Sequence, residues 1–207
     1  MKYLILGGTR SGKSLYAEKV AASCNKSVTY VATAQNSDPE MQRRIATHQL
    51  RRPAEWCLIE EPLELGLALD SVSATDPSSC ILVDCLTLWL NNLYYHQDSQ
   101  HNPPSNNLSP SPHAGQDIEG DTNVNAISIL VAQHCNDLVD NVELMTQDIV
   151  LVSSEVGMGL TPDNVLARDY ADRLGELNQA LAIVCDRVIF CVAGIPQLIK
   201  GNPIDEL

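Results

Sequence analysis

Gly7-Gly8-Thr9-Arg10-Ser11-Gly12-Lys13-Ser14 fits the pattern G-x-x-x-x-G-K-[ST]. It follows a short apolar run at 3–6 and opens a segment of helical pattern at 13–23. A strand, a glycine-rich turn and a helix form the context in which this pattern has a mechanism. The glycines let successive backbone N–H groups turn inward around phosphate oxygens, and the helix N-terminus adds positive potential. Lys13 is placed to reach β- and γ-phosphates, and the Ser14 hydroxyl to ligate Mg²⁺. The stretch predicts a site for a nucleoside triphosphate.

Outward from this loop, short apolar runs alternate with helical patterns. Strands are predicted at 3–6, 28–32, 56–59, 81–83, 149–152 and 188–192. Their continuous aliphatic character suggests strands buried on both faces, as in a parallel sheet. Helices are predicted at 13–23, 39–51 and 163–184. The second has Asp38 as N-cap and Pro39 at its first position. The third carries Leu166, Tyr170, Leu174, Leu177, Leu181 and Val184 as an amphipathic stripe. The expected fold is α/β and P-loop NTPase-like (RecA-like), a mostly parallel sheet with helices on both faces. A single domain over 1–207 is expected, interrupted at 97–123 by a Pro-, Ser- and Asn-rich flexible insertion between two helices.

Composition bounds the function. Asp and Glu number 26 against 13 Lys and Arg, a formal net charge of -13. This argues against a nucleic-acid partner, which requires a basic surface, and against adsorption to anionic membranes. No run approaches a membrane span and no targeting segment is visible, so a cytoplasmic protein is expected. The seven cysteines form no C-x-x-C and mostly sit in apolar runs, which reads as reduced thiols. A phosphate substrate on so acidic a chain requires locally concentrated positive charge.

One further group supplies that charge directly, and another would bring it with Mg²⁺. Ile81-Leu82-Val83-Asp84 is an apolar strand ending in a carboxylate, which would set Asp84 beside Mg²⁺ together with Ser14. Four of the eight arginines, Arg43, Arg44, Arg51 and Arg52, fall within ten residues and bracket His48. Met41, Ile45 and His48 share one helical face. On the residues alone, His48 is either a packed histidine on a basic solvated helix or a nucleophile beside phosphate.

These segments together resemble the bifunctional adenosylcobinamide kinase/adenosylcobinamide-phosphate guanylyltransferase family. The phosphate loop is similar to its G-G-x-R-S-G-K-S, and Tyr30-Val31-Ala32-Thr33-Ala34 to its second-strand segment. Arg44-Ile45-Ala46-Thr47-His48 with Arg52-Pro53 resembles its R-I-x-x-H…R-P stretch. Asp84-Cys85-Leu86-Thr87-Leu88-Trp89, Glu155-Val156-Gly157-Met158-Gly159 and Ala193-Gly194-Ile195-Pro196 complete the likeness, with Ser154 where the family commonly has Asn.

The resemblance implies two reactions in adenosylcobalamin biosynthesis. A nucleoside triphosphate phosphorylates adenosylcobinamide. GMP is then transferred from GTP to adenosylcobinamide phosphate through a GMP–histidine intermediate, here at His48. The implied nucleotide-binding residues are Gly7, Gly8, Thr9, Arg10, Ser11, Gly12, Lys13, Ser14, Ala32, Thr33, Ala34, Gln49, Leu50, Arg51, Arg52, Glu60 and Asp84. GTP and ATP are the implied substrates, Mg²⁺ the expected cofactor, and a homotrimer the implied assembly. His48 must attack as a neutral imidazole, and the nearby arginines should lower its pKa. Glu155 is a candidate for orienting the attacking hydroxyl of the kinase step. The principal alternative is a P-loop small-molecule or nucleotide kinase without guanylyl transfer. A GTP-dependent switch is disfavoured, because Asn25-Lys26-Ser27-Val28 lacks the Asp of N-K-x-D and precedes a strand.

Overall fold

The six apolar runs all become strands of one sheet. In the computed structural model, which describes residues 1–35, 39–101 and 118–202, they are β1 Lys2–Gly7, β2 Val28–Ala32, β3 Cys57–Glu60, β4 Cys80–Asp84, β5 Asp148–Val152 and β6 Arg187–Val192. A seventh, β7 Ile195–Lys200, pairs antiparallel with β6. The sheet order is β3-β2-β4-β5-β1-β6-β7, and every pairing except β6–β7 is parallel.

Side-chain alternation divides the core into two layers. Leu4, Ile81, Val83, Ile149 and Leu151 join one cluster, while Ile5, Leu82, Val150 and Val152 join the other. Helix α1 (Lys13–Ser23) covers the second face with Ala17, Val20 and Ala21. The first face is covered by α3 (Leu65–Thr75), α4 (Leu86–His101), α5 (Ile118–Leu144) and α6 (Val165–Val184). Helix α2 (Pro39–Arg51) joins neither cluster and is largely exposed where its side chains are described. The α/β architecture with a mostly parallel sheet and helices on both faces is therefore observed.

The differences from expectation have physical causes. Helix α5 buries Ile127, Val131, Cys135, Leu138 and Val142 at helical spacing. It continues beyond that stripe to Ile118, since extending a formed helix costs little. With α4 running through His101, residues 97–101 and 118–123 of the expected insertion are helical. Residues 102–117 and the expected N-cap Asp38 lie outside the described residues. Strand β3 is not buried on both faces: it is a sheet edge, with Cys57, Leu58 and Glu60 exposed. Strand β7 tolerates Pro196 because it too is an edge. Helix α6 begins where the Asn164 side chain accepts from the Ala167 amide. All seven cysteines are free, and Cys80, Cys135, Cys185 and Cys191 are buried. Among the described residues, no helix is long and apolar enough to cross a membrane.

The burial contrast is testable by urea unfolding. Leu82 is wholly buried whereas Leu58 is 44% exposed. Leu82→Ala should cost about 2–5 kcal/mol, and Leu58→Ala about 1 kcal/mol or less.

Candidate active site

The loop between β1 and α1 is shaped by what glycine leaves out. A Cβ at Gly7 would lie 2.5 Å from Ser11 Oγ and 2.6 Å from the Cys191 carbonyl oxygen. Gly12 has φ +93°, and a Cβ there would lie 3.1 Å from Gly194 Cα. The loop closes through Ser11 N–H donating to the Gly8 carbonyl at 3.2 Å. The β6–β7 turn braces it from behind, Gly194 N–H donating to the Ser11 carbonyl at 2.9 Å. Below it, Glu155 N–H donates to the Gly7 carbonyl at 3.3 Å. The lysine of the loop, Lys13, donates to the Gly8 carbonyl at 3.2 Å.

A cavity of about 810 Å³ opens over this loop. It lies at the C-terminal ends of β2 and β4, the usual ligand position on an open α/β sheet. Most of the sequence-predicted residues line it: Thr9, Arg10, Ser11, Gly12, Lys13, Ser14, Ala32, Ala34, His48, Gln49, Arg51, Arg52, Glu60 and Asp84. Gly7, Gly8, Thr33 and Leu50 are not among the lining residues. Leu50 points to solvent at 88% exposure. Thr33 is fully buried and clamps the segment after β4: its Oγ1 donates to the Cys85 carbonyl at 2.7 Å and accepts from Cys85 N–H at 2.9 Å. The adjacent glutamates divide their tasks. Glu60 lines the cavity, while Glu61 Oε1 accepts from the amides of Leu63 and Glu64. Glu155 is not among the lining residues, and its Oε1 accepts from Gly157 N–H at 3.1 Å.

Asp84 links three elements. Its Oδ1 accepts from Ser14 Oγ at 3.3 Å and its Oδ2 from the Tyr30 hydroxyl at 2.9 Å. Burial, then the charge of Asp84, raises the Tyr30 pKa, so the phenol stays a neutral donor. His48 Nδ1 lies 3.8 Å from Asp84 Oδ2 and 3.8 Å from Glu18 Oε1. Arg51 Nη2 lies 3.1 Å from the same Nδ1 and donates to Glu18 Oε1 at 3.2 Å. The Arg52 guanidinium stacks 3.6 Å over the Tyr30 ring.

Burial is the first cause lowering the His48 pKa from its ordinary 6.5; Asp84 opposes it, and Arg51, Arg52 and Lys13 reinforce it. The arginines expected to act there do so, but behind desolvation. The other soft nucleophile lining the cavity is disarmed, because burial and then Asp84 push the Cys85 thiol up to about 11. The site thus combines a phosphate loop, a neutral imidazole and two arginines.

Sequence reasoning singled out Ser154 only as a departure from the family pattern, and missed Tyr30 and Glu18 as site residues. Tyr30 and Ser154 line the cavity, and Glu18 stands behind His48. The signal for Glu18 was its spacing: Ser14 and Glu18 are i and i+4 on α1, one face of one helix. The side chains of Met41 and Arg44 lie outside the described residues.

The fold and cavity define an α/β P-loop enzyme. The profile of the cobinamide kinase / cobinamide phosphate guanyltransferase family matches residues 3–199, and the chain belongs to that family. A bifunctional adenosylcobalamin biosynthesis protein of Pseudomonas aeruginosa is 42% identical over 204 residues, covering 99% of this chain and 100% of the relative. Proteins of the same description from Salmonella typhimurium and Escherichia coli are 35% and 32% identical, each covering 97% of this chain and 100% of the relative.

Gly12 gives the sharpest test of the loop. Gly12→Ala combines a left-handed φ with crowding against Gly194. It should weaken nucleotide binding by about tenfold or more, while costing about 1–3 kcal/mol in folding stability. Calorimetric titration with a non-hydrolysable triphosphate and urea unfolding would measure the two effects.

Proposed function

We propose that this chain phosphorylates adenosylcobinamide with ATP or GTP and then transfers GMP from GTP to adenosylcobinamide phosphate, with His48 carrying the GMP. The observation that supports this is the position of His48: its imidazole lines the same cavity as Lys13 and Ser14 and lies 3.8 Å from Asp84. A kinase alone requires the loop and its carboxylate. It has no use for a neutral imidazole flanked by arginines.

In the first half of guanylyl transfer, an imidazole nitrogen bonds to the α-phosphorus of GTP, and the bond from phosphorus to the pyrophosphate oxygen breaks. In the second half, a phosphate oxygen of the corrinoid bonds to that phosphorus, and the nitrogen–phosphorus bond breaks. Lys13 and the N-terminus of α1 stabilise charge on the departing pyrophosphate. Arg51 and Arg52, which line the cavity, stabilise the equatorial oxygens of the transferring group. The hard oxygens of Ser14 and Asp84, 3.3 Å apart, fit Mg²⁺, which supplies further charge neutralisation when bound.

The kinase step uses the γ-phosphate on the same loop and leaves His48 unmodified. Assembly as a homo-oligomer, a homotrimer by likeness, is supported by the apolar edge strand β7, where Ile195, Leu198 and Ile199 are exposed. The seven free thiols support a cytoplasmic setting.

His48→Asn should abolish covalent labelling by GTP carrying an α-phosphate label and keep measurable kinase activity. Labelling that persists at full level would remove His48 from the mechanism. Lys13→Ala should depress both reactions by about 10²-fold or more, since both lean on the same charge; one reaction retained in full would argue for separate phosphate sites. The pH dependence follows from the lowered His48 pKa. A protonated imidazole cannot attack, and His48 protonates only below 6.5. Self-labelling should therefore hold as pH falls from 8 to 6.5 and decline only beneath that. A decline centred above 6.5 would contradict the assignment.

A further inference from the structure

Glu18 sits on α1 one turn beyond Ser14 and has no task in the reaction as written so far. It is only 8% exposed, and a carboxylate that buried is ordinarily paired. Its partners come from α2. Arg51 Nη2 donates to Glu18 Oε1 at 3.2 Å, and His48 Nδ1 lies 3.8 Å from the same oxygen. The same Arg51 nitrogen lies 3.1 Å from His48 Nδ1. One guanidinium nitrogen therefore stands between the carboxylate and the imidazole.

That arrangement fixes a tautomer. A guanidinium only donates, so Nδ1 must accept and the ring proton sits on Nε2. In this form the Nδ1 lone pair is held by Arg51 and Nε2 has none to offer. His48 is placed but idle. Arg51 lines the cavity together with Lys13, and a polyphosphate there is a stronger partner for it than a neutral imidazole. Once Arg51 turns to phosphate, Nδ1 and Glu18 Oε1 both lose their donor. The ring proton then leaves Nε2 through solvent and an equal proton returns on Nδ1, where a carboxylate can accept its hydrogen bond.

Two carboxylates lie 3.8 Å from Nδ1. Both oxygens of Asp84 already accept, from Ser14 and from Tyr30. Glu18 Oε1 accepts from Arg51 alone among the described residues. We propose that Glu18 is a positioning residue for guanylyl transfer, holding His48 in its Nδ1–H tautomer when Arg51 engages the nucleotide, so that Nε2 attacks the α-phosphorus. This rests on His48 as the GMP carrier. In the step, the Nε2–phosphorus bond forms and the phosphorus–oxygen bond to pyrophosphate breaks. The proton stays on Nδ1, and the resulting imidazolium is balanced by the Glu18 carboxylate. When the corrinoid phosphate displaces Nε2, the neutral ring is restored.

Glu18→Gln preserves size and removes the charge. The experiment measures, on one preparation, the kinase rate and the single-turnover rate of protein labelling from α-labelled GTP over a range of GTP concentrations. The maximal labelling rate should fall about 10²-fold, less than the ~10⁴-fold loss where a catalytic imidazole is locked in the wrong tautomer. The kinase rate and the GTP concentration for half-saturation should each change less than about threefold. Glu18→Asp should show the same selective loss at smaller size, and it carries the test if the Gln variant does not fold. Equal loss of kinase and labelling would overturn the proposal in favour of a structural role. A raised half-saturation at full maximal rate would overturn it in favour of simple anchoring of Arg51. A wild-type protein that takes up no label while its kinase works would instead refute the GMP–histidine reading, and this proposal with it.

Discussion

The Ser14–Asp84–Tyr30 link, with Arg52 stacked on the Tyr30 ring, is the constraint on which the site depends. Helix α2 is largely exposed and joins neither core cluster, so hydrophobic packing does little to place it. Its C-terminal end is fastened by two cations instead. Arg51 reaches Glu18 on α1, and Arg52 stacks on Tyr30 of β2. Tyr30 donates to Asp84 on β4, and Asp84 accepts from Ser14 on α1. The ring of contacts is closed, and His48 lies inside it. His48 and Arg51 in the last turn of α2 also face the negative end of the helix dipole, which favours positive charge there.

The net charge of -13 and the phosphate chemistry are compatible because the charges are segregated. Lys13, Arg43, Arg51 and Arg52 line one cavity. Of the two carboxylates closest to His48, Glu18 is buried and Asp84 partly so, and both are already bonded, so they neutralise the arginines locally. Desolvation strengthens each of these interactions, and it also keeps His48 neutral. Average charge describes the exterior. Its distribution describes the site.

Much of this was legible in the sequence where local pattern and chemistry coincide. The phosphate loop, the six apolar strands and Asp84 at a strand end each carry their own signal, and the structure places them as that signal suggests, apart from β3, which is an exposed edge and not a strand buried on both faces. Helices α3, α4 and α5 were harder to see. Leu65–Thr75 mixes apolar residues with Ser and Thr, and α4 and α5 flank a polar segment that obscures their period. Strand β7 contains Pro196 and has no buried residue, so hydrophobic patterning could not mark it. At the site, the resemblance supplied a contiguous run through Leu50, but a helix cannot turn four successive side chains to one cavity; Leu50 faces solvent. Glu18 shares a helix face with Ser14, but that spacing alone does not assign it. Its role comes from a partner 33 positions away on another helix.

The central claim is that one cavity performs both reactions and that His48 carries GMP between them. Peptide mass spectrometry of the protein after incubation with GTP and Mg²⁺, before and after adding adenosylcobinamide phosphate, tests it most directly. The account predicts GMP on the peptide containing His48 and its loss when the corrinoid phosphate is added. GMP on another residue, an adduct that the corrinoid phosphate does not discharge, or kinase turnover with no adduct would contradict it.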